Sequence, residues 1–100
     1  MTKSVMVVDE ENSVLERIRS LLEEENINVT TARTNREAME TLEKEKSIDA
    51  VLLHTKMPDG KEVFVPLVRR DDKTLPLDIE LSRDCGKEEI MRFLSKLSNL

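Results

Sequence analysis

The side chains that could do chemistry in this sequence follow two short apolar segments. Asp9 and Glu10 come directly after the apolar residues 5–8, and His54, the single histidine, comes directly after residues 51–53. Neighbouring carboxylates can hold Mg²⁺ or Ca²⁺ weakly through water molecules. An imidazole could accept a phosphoryl group or bind a metal ion. A simpler interpretation of His54 is a side chain that hydrogen bonds to the Asp9 and Glu10 carboxylates, because one histidine supplies neither a partner base nor a full ligand set.

The composition excludes several functional classes. One cysteine and one histidine cannot form a Cys/His zinc site or a disulfide scaffold, and two glycines cannot form a glycine-rich phosphate loop. A net charge of −5 and an aromatic content of 2% are untypical of nucleic-acid binding. No apolar run approaches the ~18–20 residues of a membrane span, and the sequence does not open on a signal peptide. We therefore expect a cytoplasmic protein that binds neither nucleic acid nor membranes.

Short apolar runs alternate with amphipathic segments along the chain, in the order βαβαβαβα. The predicted strands comprise residues 4–8, 27–32, 48–53 and 75–81, and the predicted helices lie around residues 14–22, 38–42, 61–70 and 87–98. Pro66 lies inside the third helical segment, so that helix must start late or be kinked. The polar and apolar alternation of the fourth strand predicts an edge position. Such an order is typical of a parallel sheet with helices on both faces.

Two segments of the chain resemble a known family. Residues 5–12 (Val-Met-Val-Val-Asp-Glu-Glu-Asn) resemble the first strand and the acidic pair of the receiver domain of bacterial response regulators. Residues 49–60 (Asp-Ala-Val-Leu-Leu-His-Thr-Lys-Met-Pro-Asp-Gly) resemble its third strand and the loop that follows. The resemblance implies a single domain over residues 1–100 with a flavodoxin-like, three-layer α/β/α fold. It also implies a place in two-component signal transduction.

The position of the family's phospho-acceptor is substituted. In receiver domains an aspartate ends the third strand and accepts the phosphoryl group, whereas His54 stands at that position here. The family's Mg²⁺ site uses the acidic pair, the acceptor carboxylate and a backbone carbonyl. Asp9 and Glu10 retain only the acidic pair. Because phosphoryl transfer needs both a nucleophile and a cation that neutralises the developing charge, the resemblance implies a remnant pocket with at most weak Mg²⁺ binding.

The sequence is also shorter than a usual receiver domain. In one alignment residues 79–90 correspond to the fifth strand, the Lys-Pro turn and the fifth helix of the family, and Arg83 replaces the catalytic lysine. In another alignment residues 77–81 form the fourth strand, and Ser82 takes the position of the switch hydroxyl. Both alignments delete one strand and one helix. Both therefore predict a shortened, truncated domain with a parallel sheet of about four strands.

The deleted elements would leave apolar surface and a sheet edge uncovered. The candidate residues of this surface are Phe64, Val65, Leu67, Leu77, Ile79 and Phe93. Native monomers rarely leave such a combination exposed. We therefore expect either a homodimer or docking onto a partner protein.

Three further residues have competing interpretations. Arg83 either pairs with Asp9 or Glu10 and replaces the positive charge of the metal ion, or it is a surface arginine. Asp59 is most simply a residue of the Pro-Asp-Gly turn. Cys85 is expected to be a small, partly buried side chain rather than a reactive thiol.

The function predicted from these features is an atypical pseudo-receiver that cannot be phosphorylated and acts as a protein–protein interaction module without catalysis. Its partner would be a sensor kinase, another regulator or a second copy of the chain, and no cofactor is expected beyond weakly bound Mg²⁺. Two alternatives remain open. One is an Mg²⁺-dependent phosphotransfer protein with His54 or Asp59 as the acceptor. The other is a metal-binding or pH-sensing module made of Asp9, Glu10 and His54.

Overall fold

The computed structural model describes residues 3–71 and 73–99 of the chain. The helices in this part of the chain are α1 (Asn12–Glu23), α2 (Asn35–Lys44) and α3 (Lys87–Ser98). The strands are β1 (Ser4–Val8), β2 (Asn28–Ala32), β3 (Ala50–Lys56), β4 (Glu62–Arg70), β5 (Lys73–Pro76) and β6 (Leu81–Ser82). Every predicted element except the third helix has a counterpart, although the fourth predicted strand is divided into β5 and β6. None of the helices described is long and apolar enough to cross a membrane.

The centre of the sheet is parallel, as the sequence predicts. β1 pairs in parallel with β2 on one side and with β3 on the other, so that Val7 lies opposite both Thr31 and Leu52. Residues 5–8 of β1 are buried because helices cover both faces of the strand. Parallel neighbours need crossover connections, which α1 and α2 supply. Because β1 and β3 run in the same direction, their carboxyl ends lie at the same edge of the sheet.

The prediction of a helix over residues 61–70 is wrong, since this segment is the strand β4 and runs antiparallel to β3. In the turn before it, the Gly60 N–H donates to the Met57 carbonyl at 2.8 Å, and the Met57 N–H donates to the Lys61 carbonyl at 2.7 Å. Gly60 has a φ of +89°, which a three-residue hairpin loop with a bulge requires. The apolar pattern of residues 61–70 fits a helical stripe or a strand buried on both faces, and the hairpin brings it to the free edge of β3.

Pro66 fits into the middle of β4 because its backbone faces away from β3. It lies opposite Leu52 in the register, and its carbonyl accepts the Leu77 N–H at 2.9 Å. The N–H and C=O of one strand residue point to the same side, so the missing N–H of Pro66 faces the segment between β5 and β6. The proline therefore costs β4 no hydrogen bond to β3.

The complete sheet is mixed and has six strands in the described residues, which corrects the expected parallel sheet of about four. Its order is β2-β1-β3-β4-β5, and β6 pairs with β4 beside β5. Both β5 and β6 run antiparallel to β4. β5 is exposed along its whole length, in agreement with the edge position predicted for this part of the chain. Neither alignment considered from the sequence included the β3–β4 hairpin.

Helices lie on both faces of the sheet, which confirms the three-layer α/β/α, receiver-like fold. α1 and α3 pack on the face that contains Leu52 and Phe64, and α2 packs on the opposite face at Met6 and Val8. Phe64 and Phe93 are fully buried, so the expectation that they line an uncovered surface is wrong. The physical reason is that β4 extends the sheet, and α3 covers the extension from one side.

Candidate functional site

Four polar side chains meet at the edge of the sheet where β1 and β3 end. Asp9 directly follows β1, and His54 lies near the end of β3. The β3–β4 hairpin returns the chain to the same edge at Glu62, the first residue of β4. Arg83 directly follows β6, which pairs with the beginning of β4. We call these four residues the Asp9 cluster.

Arg83 holds the Asp9 carboxylate with two hydrogen bonds. Its Nε donates to Oδ2 at 2.9 Å and its Nη2 donates to Oδ1 at 2.5 Å, while Oδ1 also accepts the Glu11 N–H at 2.9 Å. The Asp9 side chain is 0% exposed and the Arg83 side chain 16%. A planar guanidinium matches a carboxylate in this bidentate way, and such charge-assisted bonds are among the stronger ones in proteins. Arg83 therefore pairs with Asp9 in the structure and is not a free surface arginine.

The ion pair keeps both partners charged. Burial alone raises the pKa of the Asp9 carboxyl, but the hydrogen bonds from Arg83 and from the Glu11 N–H, together with the nearby His54, outweigh it and hold the pKa below its ordinary value. The hydrogen bond to Asp9 in turn raises the pKa of the Arg83 guanidinium, against the opposing effect of burial. Asp9 is therefore a carboxylate at neutral pH, and its charge is balanced by an arginine.

His54 contacts Glu62 rather than Glu10. Its Nε2 lies 3.0 Å from Glu62 Oε1, and because an ionised carboxylate only accepts, Nε2 is the donor. Its Nδ1 lies 3.8 Å from Asp9 Oδ2, beyond hydrogen-bond distance. Arg83 Nη1 lies 3.4 Å from the same Glu62 oxygen. His54 is thus a hydrogen-bonded side chain, in agreement with the simpler interpretation. Its partner is Glu62 rather than the expected Asp9 or Glu10. Glu62 was not considered because it lies in a segment that the sequence predicts to be a helix.

The remaining predicted site residues lie outside the Asp9 cluster. Glu10 is exposed. The Ser82 hydroxyl, the candidate switch hydroxyl, lies at the end of β6 and donates to the Asp84 carboxylate in the loop that follows. Asp59 lies in the hairpin turn, where its Oδ1 accepts the Lys61 N–H at 2.9 Å. Asp59 therefore has the turn role that was its simplest interpretation.

Arg17 is a positioning residue that the sequence analysis missed. From α1 it donates to the backbone carbonyls of Cys85 and Arg83. These two hydrogen bonds fix the loop between β6 and α3, which carries the Arg83 side chain into the site. No sequence signal identifies this contact, because Arg17 belongs to the ordinary polar side of an amphipathic helix and lies 66 residues before Arg83.

Glu62 is the second site residue that the sequence analysis missed, but the sequence contains a local signal for its position. Residues 58–60 (Pro-Asp-Gly) are a hairpin signature when β-branched residues follow. That hairpin pairs Lys56 with Glu62, which places Glu62 diagonally across from His54 on the same face. The helical spacing of the apolar residues within residues 61–70 outweighed this local signal in the sequence analysis.

Cys85 is buried, and burial raises the pKa of its thiol to about 11. Because the thiolate is the reactive form, we expect Cys85 of the folded protein to react slowly with the thiol reagent DTNB at about pH 8. Absorbance kinetics in buffer and in urea would check this, with fast reaction expected only in urea. Equal rates in the two conditions would contradict the buried position of the thiol.

The Asp9 cluster does not fit the Mg²⁺ ion of the family's site. Magnesium requires several oxygen ligands in octahedral geometry, and both Asp9 oxygens already accept hydrogen bonds from Arg83. His54 replaces a carboxylate ligand with an imidazole that donates to Glu62. Within residues 3–71 and 73–99 no group of three or more His, Cys, Asp or Glu side chains is arranged to hold a metal ion.

Comparison with known proteins identifies the family. The family model described as the response regulator receiver domain matches residues 5–97. Comparisons with curated proteins and with solved structures found no match. The matched part is 93 of the 100 residues and includes every helix and strand described above except the first residue of β1 and the last of α3. The chain therefore belongs to the response regulator receiver domain family.

Proposed function

We propose that this chain is a cytoplasmic receiver domain that cannot be phosphorylated and that acts by binding other proteins in two-component-type signalling. The family supports the general part of the proposal. Receiver domains take part in two-component signalling, interact with kinases and other signalling proteins, and are generally not enzymes. The part specific to this chain is supported by the Asp9 cluster.

The observation that carries the proposal is the bidentate ion pair between Asp9 and Arg83. Phosphoryl transfer needs a nucleophile and a cation that neutralises the developing charge of the transition state. Here the acceptor position holds His54, and the buried carboxylate is neutralised by a guanidinium that is part of the chain. A divalent cation would have to displace Arg83 from two hydrogen bonds to reach Asp9.

The internal cation has a consequence for signalling. In this chain the charge of the Asp9 carboxylate is balanced by Arg83 without any ligand. A divalent cation therefore finds no unpaired Asp9 carboxylate to neutralise, and we expect the conformation around Asp9 not to depend on a phosphoryl donor. Partner binding by this module is accordingly independent of phosphorylation, whether the partner is a sensor kinase, another regulator or a second copy.

The alternatives from the sequence have weaker support. Asp59 is committed to the hairpin turn through its bond to the Lys61 N–H. His54 as a phosphoryl acceptor would lose its hydrogen bond to Glu62. A pH-sensing role rests on one observation, that the imidazole lies between the Asp9 and Glu62 carboxylates.

The proposal is tested by an amide NMR titration with Mg²⁺ and then with beryllofluoride, a phosphoryl mimic. We expect no saturable shifts around Asp9 or His54 in the wild-type protein. The double variant His54→Asp with Arg83→Lys restores an acceptor carboxylate and removes the bidentate guanidinium. We expect this variant to gain Mg²⁺-dependent beryllofluoride shifts at the same residues.

The matched control is His54→Asn with Arg83→Lys, which has the same lysine but no acceptor carboxylate. It should not respond to beryllofluoride, although Mg²⁺ alone could shift Asp9. Saturable beryllofluoride shifts in the wild-type protein, or incorporation of phosphate from acetyl phosphate seen by mass spectrometry, would refute the proposal and revive the phosphotransfer alternative.

A further inference from the structure

One face of the sheet is only partly covered by helices. α1 and α3 pack together on the face of Phe64, whereas α2 packs on the opposite face against β1 and β2. In the described part of the chain α2 helps to bury Val51 of β3 on this side, but it leaves Leu53 of β3 and Leu67 of β4 only half-buried. The α2 side of β3 and β4 is the sheet face opposite Phe64, and it is separate from the hydrophobic core that surrounds Phe64.

A groove of about 750 Å³ runs along this uncovered area, next to α2. Met39 and Leu42 line it from α2, Leu53 from β3 and Leu67 from β4. Met39 is 65% exposed, the largest exposure among the large apolar side chains of the described residues. Leu42, Leu53 and Leu67 are half-buried, so the apolar lining extends across two strands and one helix and is partly exposed to water in the isolated chain.

The dimensions of the sheet favour a helix as the occupant of the groove. Adjacent strands are about 4.8 Å apart, so the β3–β4 pair is displaced from the β2–β1 pair by about 10 Å. Helices that pack side by side have axes 8–10 Å apart. A second helix that packs next to α2 therefore lies over β3 and β4, where Leu53 and Leu67 are half-buried.

The charges of the groove favour an acidic occupant. Lys46 and Arg69 line the end of the groove near the C-terminus of α2, and Glu43 is the acidic residue of the lining. The lining therefore carries an excess positive charge, whereas the whole chain has a net charge of −5. Arg69 Nη1 donates to the Glu45 carbonyl at 2.9 Å, which holds the guanidinium at that end. Within the described ranges neither Lys46 nor Arg69 has a carboxylate within ion-pair distance.

We propose that this groove binds an amphipathic helix of a partner protein that has acidic residues in its first turn. Such a helix runs antiparallel to α2, because its acidic N-terminal turn then meets Lys46 and Arg69, and carboxylates there also interact favourably with the helix dipole. Its apolar residues at positions i, i+3, i+4 and i+7 contact Met39, Leu53 and Leu67. This inference rests on the proposed function only in taking the chain as a binding module.

The test uses a fluorescently labelled synthetic peptide of about 14 residues, with leucines at helical spacing and glutamates in the first turn. We expect saturable binding by fluorescence anisotropy and amide NMR shifts confined to α2, β3 and β4. Met39→Glu should weaken binding about tenfold or more, because it places a carboxylate in the apolar contact. The matched control is Met91→Glu, the same change at a 41% exposed methionine on α3, which should bind like the wild-type chain.

A charge exchange tests the orientation. Lys46→Glu should weaken binding of the acidic peptide and strengthen binding of a second peptide with lysines in place of the first-turn glutamates. Lys87→Glu, an equal change of charge at the start of α3, should alter neither.

Three results would overturn the inference. The first is no binding of the acidic peptide at concentrations where the protein stays monomeric by sedimentation. The second is binding that Met39→Glu does not weaken. The third is self-association that Met39→Glu abolishes, which would show that a second copy covers the groove. None of these results depends on beryllofluoride, so failure of this inference and failure of the proposed function are distinguishable.

Discussion

Arg83→Met is expected to lower the free energy of unfolding by about 3–5 kcal/mol, because it leaves the Asp9 carboxylate buried without its charge partner. The Asp9 side chain is fully buried, and two of its hydrogen bonds come from Arg83. The loss would be a large part of the total stability of a domain of this size, about 5–15 kcal/mol. Urea denaturation followed by circular dichroism would measure it.

The matched control is Arg33→Met. Arg33 is exposed and donates to the Glu10 carbonyl at 3.1 Å, so its replacement should cost less than about 1 kcal/mol. The double variant Asp9→Asn with Arg83→Met removes the unpaired charge and should regain part of the loss. Equal costs for Arg83→Met and Arg33→Met would contradict the buried ion pair.

The same pair makes stability dependent on pH. Because the pKa of Asp9 is held below its ordinary value in the folded state, its contribution to stability is present above the unfolded value of 3.8 and is lost as the pH falls through the folded value. Without Arg83, burial favours the protonated carboxyl. The difference in the free energy of unfolding between the wild-type protein and Arg83→Met should therefore be largest at neutral pH and should become smaller as the pH is lowered.

Phe64→Ala is expected to cost about 3–5 kcal/mol, as truncation of a fully buried aromatic side chain typically does. Phe64 is 0% exposed and packs in the core shared by α1, α3 and the sheet. Its burial depends on the antiparallel pairing of β4 with β3, where it lies opposite His54. The variant therefore tests the part of the fold that departs from the expected order of elements.

Leu75→Ala is the control for this second prediction. Leu75 lies on the neighbouring edge strand β5 and is 50% exposed, so its truncation should cost less than about 1 kcal/mol. Both free energies would come from the same urea denaturation experiment. A cost for Phe64→Ala no larger than that for Leu75→Ala would show that Phe64 is not in the core.

The local pattern of apolar residues was sufficient to predict most of the helices and strands. The length and valine content of the continuous apolar run at residues 5–8 favour a buried strand, and the stripe of apolar residues around 14–22 favours an amphipathic helix. The same holds for α3 at Lys87–Ser98. Strand direction followed as well, because crossover helices between β1, β2 and β3 make these strands parallel. The positions of Asp9 and His54 at one edge of the sheet follow from that direction.

The tertiary structure decided the conformation of residues 61–70. Their apolar positions satisfy a helical period and also a strand buried on both faces, so periodicity does not distinguish the two, and the Pro-Asp-Gly turn at residues 58–60 is the local feature that favours the strand. The choice depends on the free edge of β3, whose unpaired backbone groups gain a full ladder of hydrogen bonds when β4 folds back on it.

The strand conformation of residues 62–70 also determined which residues form the Asp9 cluster. Once β4 is a strand, Glu62 rather than Glu10 reaches His54, and β6 is placed so that Arg83 reaches Asp9. Asp9 and Arg83 are separated by 74 positions in the sequence. The sequence by itself determined which residue types could meet at this edge. Only the tertiary structure determined which of them do, because contacts over such separations depend on strand pairing and not on local periodicity.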